Sequence, residues 1–397
     1  MKNITFYVIA SFLFLSSLFL SACAGATTSA SVIEPIRIGS GYDLSNEMSV
    51  VDLPTANGIK LAIKEINEAG GLLGRPVELV LRDHQYKRDV TANIAKQFVE
   101  EDKVDAVVSF SDADSVLAGG PLIQRAGLPL VISGATSPKL PEQVGDMTFL
   151  AVFGDNVQAA AAAEFAFKNF GETAFLLWDD GADYTVLLAR YFNQSFTQLG
   201  GEVVLMDSFP DSATDFSPYI EKLKALPEQP DFYFLSAMPH NAGPLIKQFR
   251  EAGLTAPIVG GDAYDFPGIV TEAGVEAVED VYFTTHALMD PESASPEIKK
   301  FGSAYQAEYG HAPENVFAAL GYDAMQLMAN AIERAGSTDA KAIKKALEET
   351  KDFAALTGSI TLTAQSHIPS KAVTMIAIRD GKFTLAEEIV PEAVPVP

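Results

Sequence analysis

Short apolar runs alternate with segments of helical length along most of the chain, and most apolar runs end in turn residues. The pattern is clearest over residues 104–140, where two apolar runs flank one such segment. Apolar runs of this length are typical of buried parallel strands, so the stretch predicts a βαβ unit. Ligands of open parallel sheets bind in the crevice at the carboxyl ends of the strands. We therefore expect the two turns that follow these strands to line a binding crevice.

Both of these turns are rich in groups that can bind a small polar molecule. They supply hydroxyl, carboxylate and backbone groups from Ser111, Asp112, Asp114, Ser115, Gly134, Ala135, Thr136 and Ser137.

The alternation of strands and helices resumes near Asp155 and continues to a strand at 281–284, which predicts an α/β fold with two doubly wound parallel-sheet lobes. A chain of 397 residues is also too long for one ordinary core. The pattern then changes to three consecutive helices at 296–309, 315–335 and 339–350. Strands follow at 360–362, 373–378 and 382–388, and the turn Asp380-Gly381 predicts a hairpin between the last two.

The N-terminus has the features of an export signal. Lys2 precedes an apolar run at 6–20, and Leu20-Ser21-Ala22-Cys23 resembles a bacterial lipobox. This resemblance implies a signal peptide at 1–22, cleavage before Cys23 and lipidation of its thiol, with a flexible tether at 23–34. An uncleaved membrane anchor is the alternative, but the apolar run is short for a bilayer. Cys23 is the only cysteine, so no disulfide can form within the chain.

Composition excludes several classes of protein. The formal charge is −24, from 28 basic and 52 acidic residues, so nucleic acid is not an expected partner. The chain lacks the nucleophile elbow, the phosphate-binding loop and the His-Glu-x-x-His zinc motif. We therefore predict no enzyme, no cofactor and no metal site. Asp179, Asp180 and Asp183 suggest a metal site, but a solvated turn and helix start explain them better.

Five short motifs, in this order and spacing, resemble the type I periplasmic binding proteins of branched-chain amino-acid ABC importers. They are IKEINEAGGLLGR at 63–75, ISGATSP at 132–138, VGGD at 259–262, VYF at 281–283 and GYDA at 321–324. The resemblance implies two lobes joined by three crossings that close on a ligand like a hinge. Carried over, the first lobe covers 34–153 and 285–360, the second covers 154–284 and 361–390, and 391–397 form a tail.

The resemblance also implies roles for residues of the two turns. Ser133, Gly134, Ala135 and Thr136 fall in the turn that binds the ligand's carboxylate, although Thr136 or Ser137 could instead cap a helix that starts at Pro138.

The first turn departs from the family's pattern, because the serine with which the family binds its ligand corresponds to a position near Ala113 in this sequence. Ser111 or Ser115 could supply the hydroxyl. Alternatively Asp112 or Asp114 faces the crevice, repels a carboxylate and favours a cationic or neutral ligand, or both aspartates cap the following helix.

Three residues of the second lobe complete the predicted site. Asp262 matches the acid that pairs with the ligand's ammonium group, and Tyr184 matches an aromatic residue that contacts the ligand. Met238 lies where some relatives carry tyrosine. Alternatively, Asp262 is an ordinary turn aspartate after a glycine, and Tyr184 is a core residue on a helix face.

These observations predict an exported, lipid-anchored monomer that faces the periplasm or the cell exterior. It captures an amino acid or similar small polar solute between its lobes and delivers it to an ABC permease in the membrane. A ligand-sensing receptor of the same fold, or binding of a cationic or amide solute in place of a branched-chain amino acid, is the alternative.

Overall fold

The computed structural model describes residues 34–290 and 295–397. The predicted signal peptide and the predicted lipidation site at Cys23 lie outside the described residues. In the described ranges, no helix is long and apolar enough to cross a membrane.

The first sheet is wholly parallel and has the strand order β2-β1-β3-β4-β5. Its strands are β1 (Ile36–Tyr42), β2 (Val77–Asp83), β3 (Ala106–Ser109), β4 (Leu130–Ile132) and β5 (Thr148–Leu150). Its helices are α1 (Ser49–Glu68), α2 (Arg88–Gln97) with a π-helical extension (Phe98–Asp102), α3 (Ala113–Arg125) and α4 (Leu140–Val144). The predicted βαβ unit is therefore confirmed as β3, α3 and β4, whose strands pair in parallel register.

The second sheet has seven strands, in the order β14-β13-β10-β9-β8-β6-β7. Strands β6 (Thr173–Asp179), β7 (Glu202–Phe209), β8 (Phe232–Ser236), β9 (Ile258–Gly260) and β10 (Val281–Thr285) are parallel. The last two strands, β13 (Val373–Arg379) and β14 (Lys382–Ile389), form the predicted hairpin and add an antiparallel edge. The helices are α5 (Asp155–Asn169), α6 (Asp183–Gln198), α7 (Ser217–Lys224), α8 (Pro239–Glu251) and α9 (Gly268–Ala273).

The three late helices are α10 (Pro296–Tyr309), α11 (Val316–Ala335) and α12 (Ala340–Glu348), and a small hairpin of β11 (Phe353–Ala355) and β12 (Gly358–Ile360) follows them. Although they follow strand β10 of the second sheet in sequence, α11 and α12 contribute buried residues to the core of the first sheet. Leu362 also packs in that core, and the carbonyl oxygen of His367 accepts a hydrogen bond from Leu150. Residues 35–397 form one compact unit, so the division into two lobes stays a prediction.

Helices α1 and α11 cross with their backbones almost in contact, because each has a glycine at the crossing. A Cβ atom at Gly58 would lie 1.9 Å from the carbonyl oxygen of Ala318, and one at Gly321 would lie 2.1 Å from that of Thr55. Backbone atoms cannot rotate away as a side chain can. Gly321 belongs to the GYDA motif, and this close approach is a physical reason for glycine there.

We expect Gly321→Ala to lower the free energy of unfolding by about 3 kcal/mol, since it overpacks a fixed backbone crossing. Gly302→Ala in α10 is the matched control, because the nearest atom to its new Cβ lies 3.9 Å away. In the helix interior this control should be neutral or stabilising by up to about 1 kcal/mol. Urea denaturation measures both variants, and equal stability of the Gly321→Ala variant and the control would contradict the account.

Candidate ligand-binding site

A cavity lies at the carboxyl ends of the strands and encloses about 410 Å³ of empty space, including its open mouth. The predicted residues that line it are Ser111, Asp112, Gly134, Ala135, Thr136, Tyr184, Met238 and Asp262. The structure thus brings both polar turns of the first sheet and the three predicted residues of the second region to one cavity.

Ser115 and Ser133 do not line this cavity. The backbone N–H of Ser115 donates to Asp112 Oδ1 at 2.7 Å within the first turn of α3. The Ser133 hydroxyl lies 2.7 Å from the Tyr42 hydroxyl and donates to the carbonyl oxygen of Phe110. Both residues therefore have structural partners behind the cavity wall.

The second turn does not cap a helix through a side chain. Helix α4 begins at Leu140, and its N-cap residue Lys139 makes no side-chain cap bond, so the alternative role for Thr136 or Ser137 is wrong. The carbonyl oxygen of Thr136 instead accepts a hydrogen bond from the backbone of Asp155 at 2.7 Å. The side chain of Thr136 lies at the cavity wall.

In the first turn, Asp112 has two of the roles that the sequence left as alternatives. It caps α3 through Oδ1, and it also lines the cavity. Its Oδ2 atom is buried and has no hydrogen-bond partner among the described residues. Burial raises the pKa of Asp112 to about 6, against the opposing hydrogen bonds from Ser115. Asp114 forms an ion pair with Arg88 and does not line the cavity.

Asp262 is buried and held by donors from three separate segments. Its Oδ1 accepts hydrogen bonds from the Tyr184 hydroxyl at 2.8 Å and from Gln158 Nε2 at 3.1 Å. Its Oδ2 lies 3.3 Å from His286 Nε2. Burial lowers the pKa of His286, which favours a neutral ring that donates through Nε2–H. The carboxylate therefore has a fixed orientation at the cavity wall.

Gly261 makes room for this arrangement. A Cβ atom at this position would lie 2.2 Å from the Tyr184 hydroxyl oxygen. The glycine before Asp262 thus allows the tyrosine to reach the carboxylate.

Several functional positions were not predicted. Six further residues line the cavity: Met48, Val51, Ala113, Pro239, Ala263 and Phe317. Gln158 and His286 contact Asp262 without lining the cavity. His286 directly follows a strand of the second sheet, so the rule that ligands bind at strand ends could have identified it. Gln158 is a polar residue in an alanine-rich helix, which is a weaker indication.

The aspartates considered for a metal are not together in the structure. Asp179 lies near Asp211 and His240, with ligand atoms within 4.8 Å of one another, whereas Asp180 accepts a hydrogen bond from Ser208. Asp179 Oδ1 accepts from the backbone of Gly181, as in an ordinary turn. Asp183 lies in the first turn of α6.

An α/β fold with mainly parallel sheets and a cavity at the strand ends is typical of a protein that binds a small molecule. A sequence model of the periplasmic binding protein family matches residues 35–382. The chain therefore belongs to this family, in its type I branched-chain amino-acid group. The predicted family and fold class are confirmed.

Relatives and solved structures agree with this assignment. The Leu/Ile/Val-binding protein BraC3 of Rhizobium johnstonii is 27% identical over 89% of this chain and 94% of its own. LivJ of Streptococcus pneumoniae, solved with isoleucine, is 30% identical, covers 90% of this chain and 100% of its own, and has a TM-score of 0.82. LivK of Thermotoga maritima, a leucine-binding protein, is 31% identical, with a TM-score of 0.83 and coverage of 90% and 99%.

The family fixes the general function. Its members are solute-binding proteins of ABC importers and not enzymes, so these predictions are confirmed for the class. Membership also implies an exported protein whose partners are a small-molecule ligand and an ABC permease.

We expect stability to fall as the pH rises, because the fold buries protonated carboxyl groups. Burial, with a further contribution from nearby Asp262, raises the pKa of Asp155 to about 8, far above its value of about 3.9 in an unfolded chain. This group stabilises the fold fully below about pH 4, and the stabilisation is lost as the pH rises through about 8. Burial likewise raises the pKa of Asp265 to about 7.

Thermal unfolding between pH 5 and 8.5 tests this expectation, with Asp155→Asn as the variant and the exposed Glu276→Gln as the control. The melting temperature of the wild type should fall over this range, and the fall should be smaller for Asp155→Asn but not for Glu276→Gln. If the melting temperature fell equally with pH in all three proteins, the burial of a protonated Asp155 would be contradicted.

Proposed function

We propose that the protein captures an amino acid or a similar small polar solute between two lobes and delivers it to its permease. The observation that carries this proposal is the single cavity shared by the Gly134–Ala135–Thr136 turn and Asp262. The N–H of Gly134 donates to the carbonyl oxygen of Phe110, so the N–H groups of Ala135 and Thr136 and the Thr136 hydroxyl are the donors proposed for a carboxylate. Asp262 offers an acceptor to an ammonium group. This pair of ends is complementary to a zwitterion.

The contacts of Asp262 are compatible with a ligand. A carboxylate has about four acceptor sites, and Tyr184, Gln158 and His286 account for three donors. One acceptor direction is left for an ammonium group. Tyr184 and Met238, both in the cavity wall, would contact the rest of the solute.

The two lobes are proposed at 34–153 with 285–360 and at 154–284 with 361–390. The first would hold the carboxylate and the second would bring Asp262 and Tyr184 onto the solute on closure. Lipid on Cys23 would keep the monomer at the membrane, beside the permease, facing the periplasm or the cell exterior.

Asp262→Asn should weaken the binding of any amino-acid ligand by about 10- to 150-fold, since a charge-assisted hydrogen bond contributes about 1.5–3 kcal/mol. Isothermal titration calorimetry measures the change with the tightest ligand found in a thermal-shift screen of amino acids. Asp180→Asn is the matched control, because this exposed aspartate lies outside the cavity wall. Unchanged affinity in Asp262→Asn would contradict the ammonium assignment.

The screen itself tests the proposed function. A ligand that binds only the folded protein raises its melting temperature, and the stabilisation grows with the logarithm of the ligand concentration relative to Kd. If no amino acid stabilised the protein at millimolar concentration, capture of an amino acid would be contradicted.

Lipidation is tested in the native host. The wild-type protein should incorporate labelled fatty acid and fractionate with membranes, whereas Cys23→Ala should lose the label. Ser21→Ala in the same motif is the control and should retain it. Labelling of the Cys23→Ala variant would contradict a lipid on this thiol.

A further inference from the structure

Asp112 is a cavity carboxylate with an unused acceptor. Asp112 is only 6% exposed, and its Oδ1 atom accepts the helix-capping hydrogen bond from the backbone N–H of Ser115. Oδ2 is buried at the cavity and has no partner within the described part of the chain. A buried polar atom without a partner is destabilising, so a ligand that supplies a donor there binds more tightly than one that does not.

The charges around the cavity agree with a donor on the ligand. Among the described residues that line it, Asp112 and Asp262 are the ionisable acids, and no lysine, arginine or histidine is present. An anionic solute would therefore meet two carboxyl groups without a cationic side chain to balance its charge. A solute with one carboxylate needs more than one donor group to complement this wall.

Asp112 lies at the same end of the cavity as the proposed carboxylate turn. The two turns are in contact there, because a Cβ atom at Gly134 would lie 3.0 Å from the Cα of Ser111. Met48, Val51 and Phe317 form an apolar part of the wall. This part suits the carbon chain of a small solute. The buried side-chain atoms of the described wall without a hydrogen-bond partner are Ser111 Oγ and Asp112 Oδ2, and only the Asp112 atom belongs to an acid.

We propose that Asp112 is a specificity-determining residue that selects an amino acid with a hydrogen-bond donor in its side chain, a hydroxyl, amide or amine, over an aliphatic one. This inference rests on the proposed capture of an amino acid, and it assigns the side-chain class. A site built to bind a donor rejects an isostere without one, because the isostere leaves the buried acceptor unpaired.

Calorimetry with isosteric pairs tests the proposal on the mature chain. The pairs are threonine against valine, asparagine against leucine, and 2,4-diaminobutyrate against norvaline. In at least one pair the donor member should bind the wild type at least about 10-fold tighter, as expected for one hydrogen bond to a charged group.

Asp112→Asn is the informative variant. Asparagine caps helices as well as aspartate does, so the fold should be retained. Its amide presents a donor in place of Oδ2, so the preference for the donor member should fall to about 3-fold or less. Asp114→Asn, two residues along and facing Arg88 outside the cavity, is the control and should keep the wild-type preference.

The outcomes separate this inference from the proposed function. If the aliphatic members bind as tightly as their partners, or if Asp112→Asn keeps the wild-type preference, the inference is overturned while amino-acid capture stands. If other amino acids bind the wild type but none of these six does, the inference alone is overturned. If no amino acid of the thermal-shift screen binds, the proposed capture of an amino acid fails and this inference fails with it.

Discussion

A buried carboxylate has to be held by hydrogen-bond donors, and the arrangement of the cavity depends on how Asp262 meets this requirement. Its donors come from α5, α6 and the segment after β10, so three elements converge on one side chain. His286, one of these donors, stacks on Phe153 with ring centroids 3.7 Å apart. Phe153 and His286 lie at or next to two of the three predicted crossings between lobes, at 153/154 and 284/285. The acid proposed to bind the ligand's ammonium group therefore contacts one of the segments on which the proposed closure would depend.

Acidic side chains lie in the interior around the hydrogen bonds of Asp262 as well as on the surface. Asp112, Asp155 and Asp265 are all buried, and burial raises the pKa of each. At pH 7 the Asp155 carboxyl, with its pKa of about 8, is largely neutral and avoids much of the cost of burying charge, whereas Asp112, with its pKa of about 6, is largely ionised. A cavity of this kind disfavours an anion and favours a solute that brings donors.

The sequence predicted the fold well because its determinants are local and periodic. Apolar runs with turn residues at their ends placed β3 and β4, and the strand-end rule placed Asp112 and Thr136 at a cavity that the structure contains. Contacts between segments that are far apart in the sequence leave no periodic pattern from which they could be predicted. The donors Gln158 and His286 lie 104 and 24 positions from Asp262. Similarly, Ser133 is in the right turn, but its hydroxyl is directed to Tyr42, which lies 91 positions away.

A crystal structure of the protein purified from its own cells, with the ligand it carries, tests the central claim most directly. The account predicts density for a small zwitterion in this cavity, with its ammonium group within hydrogen-bond distance of Asp262 and its carboxylate at the Gly134–Ala135–Thr136 turn. A ligand bound in the cavity with an anionic group against Asp262, or bound elsewhere on the protein, would contradict it.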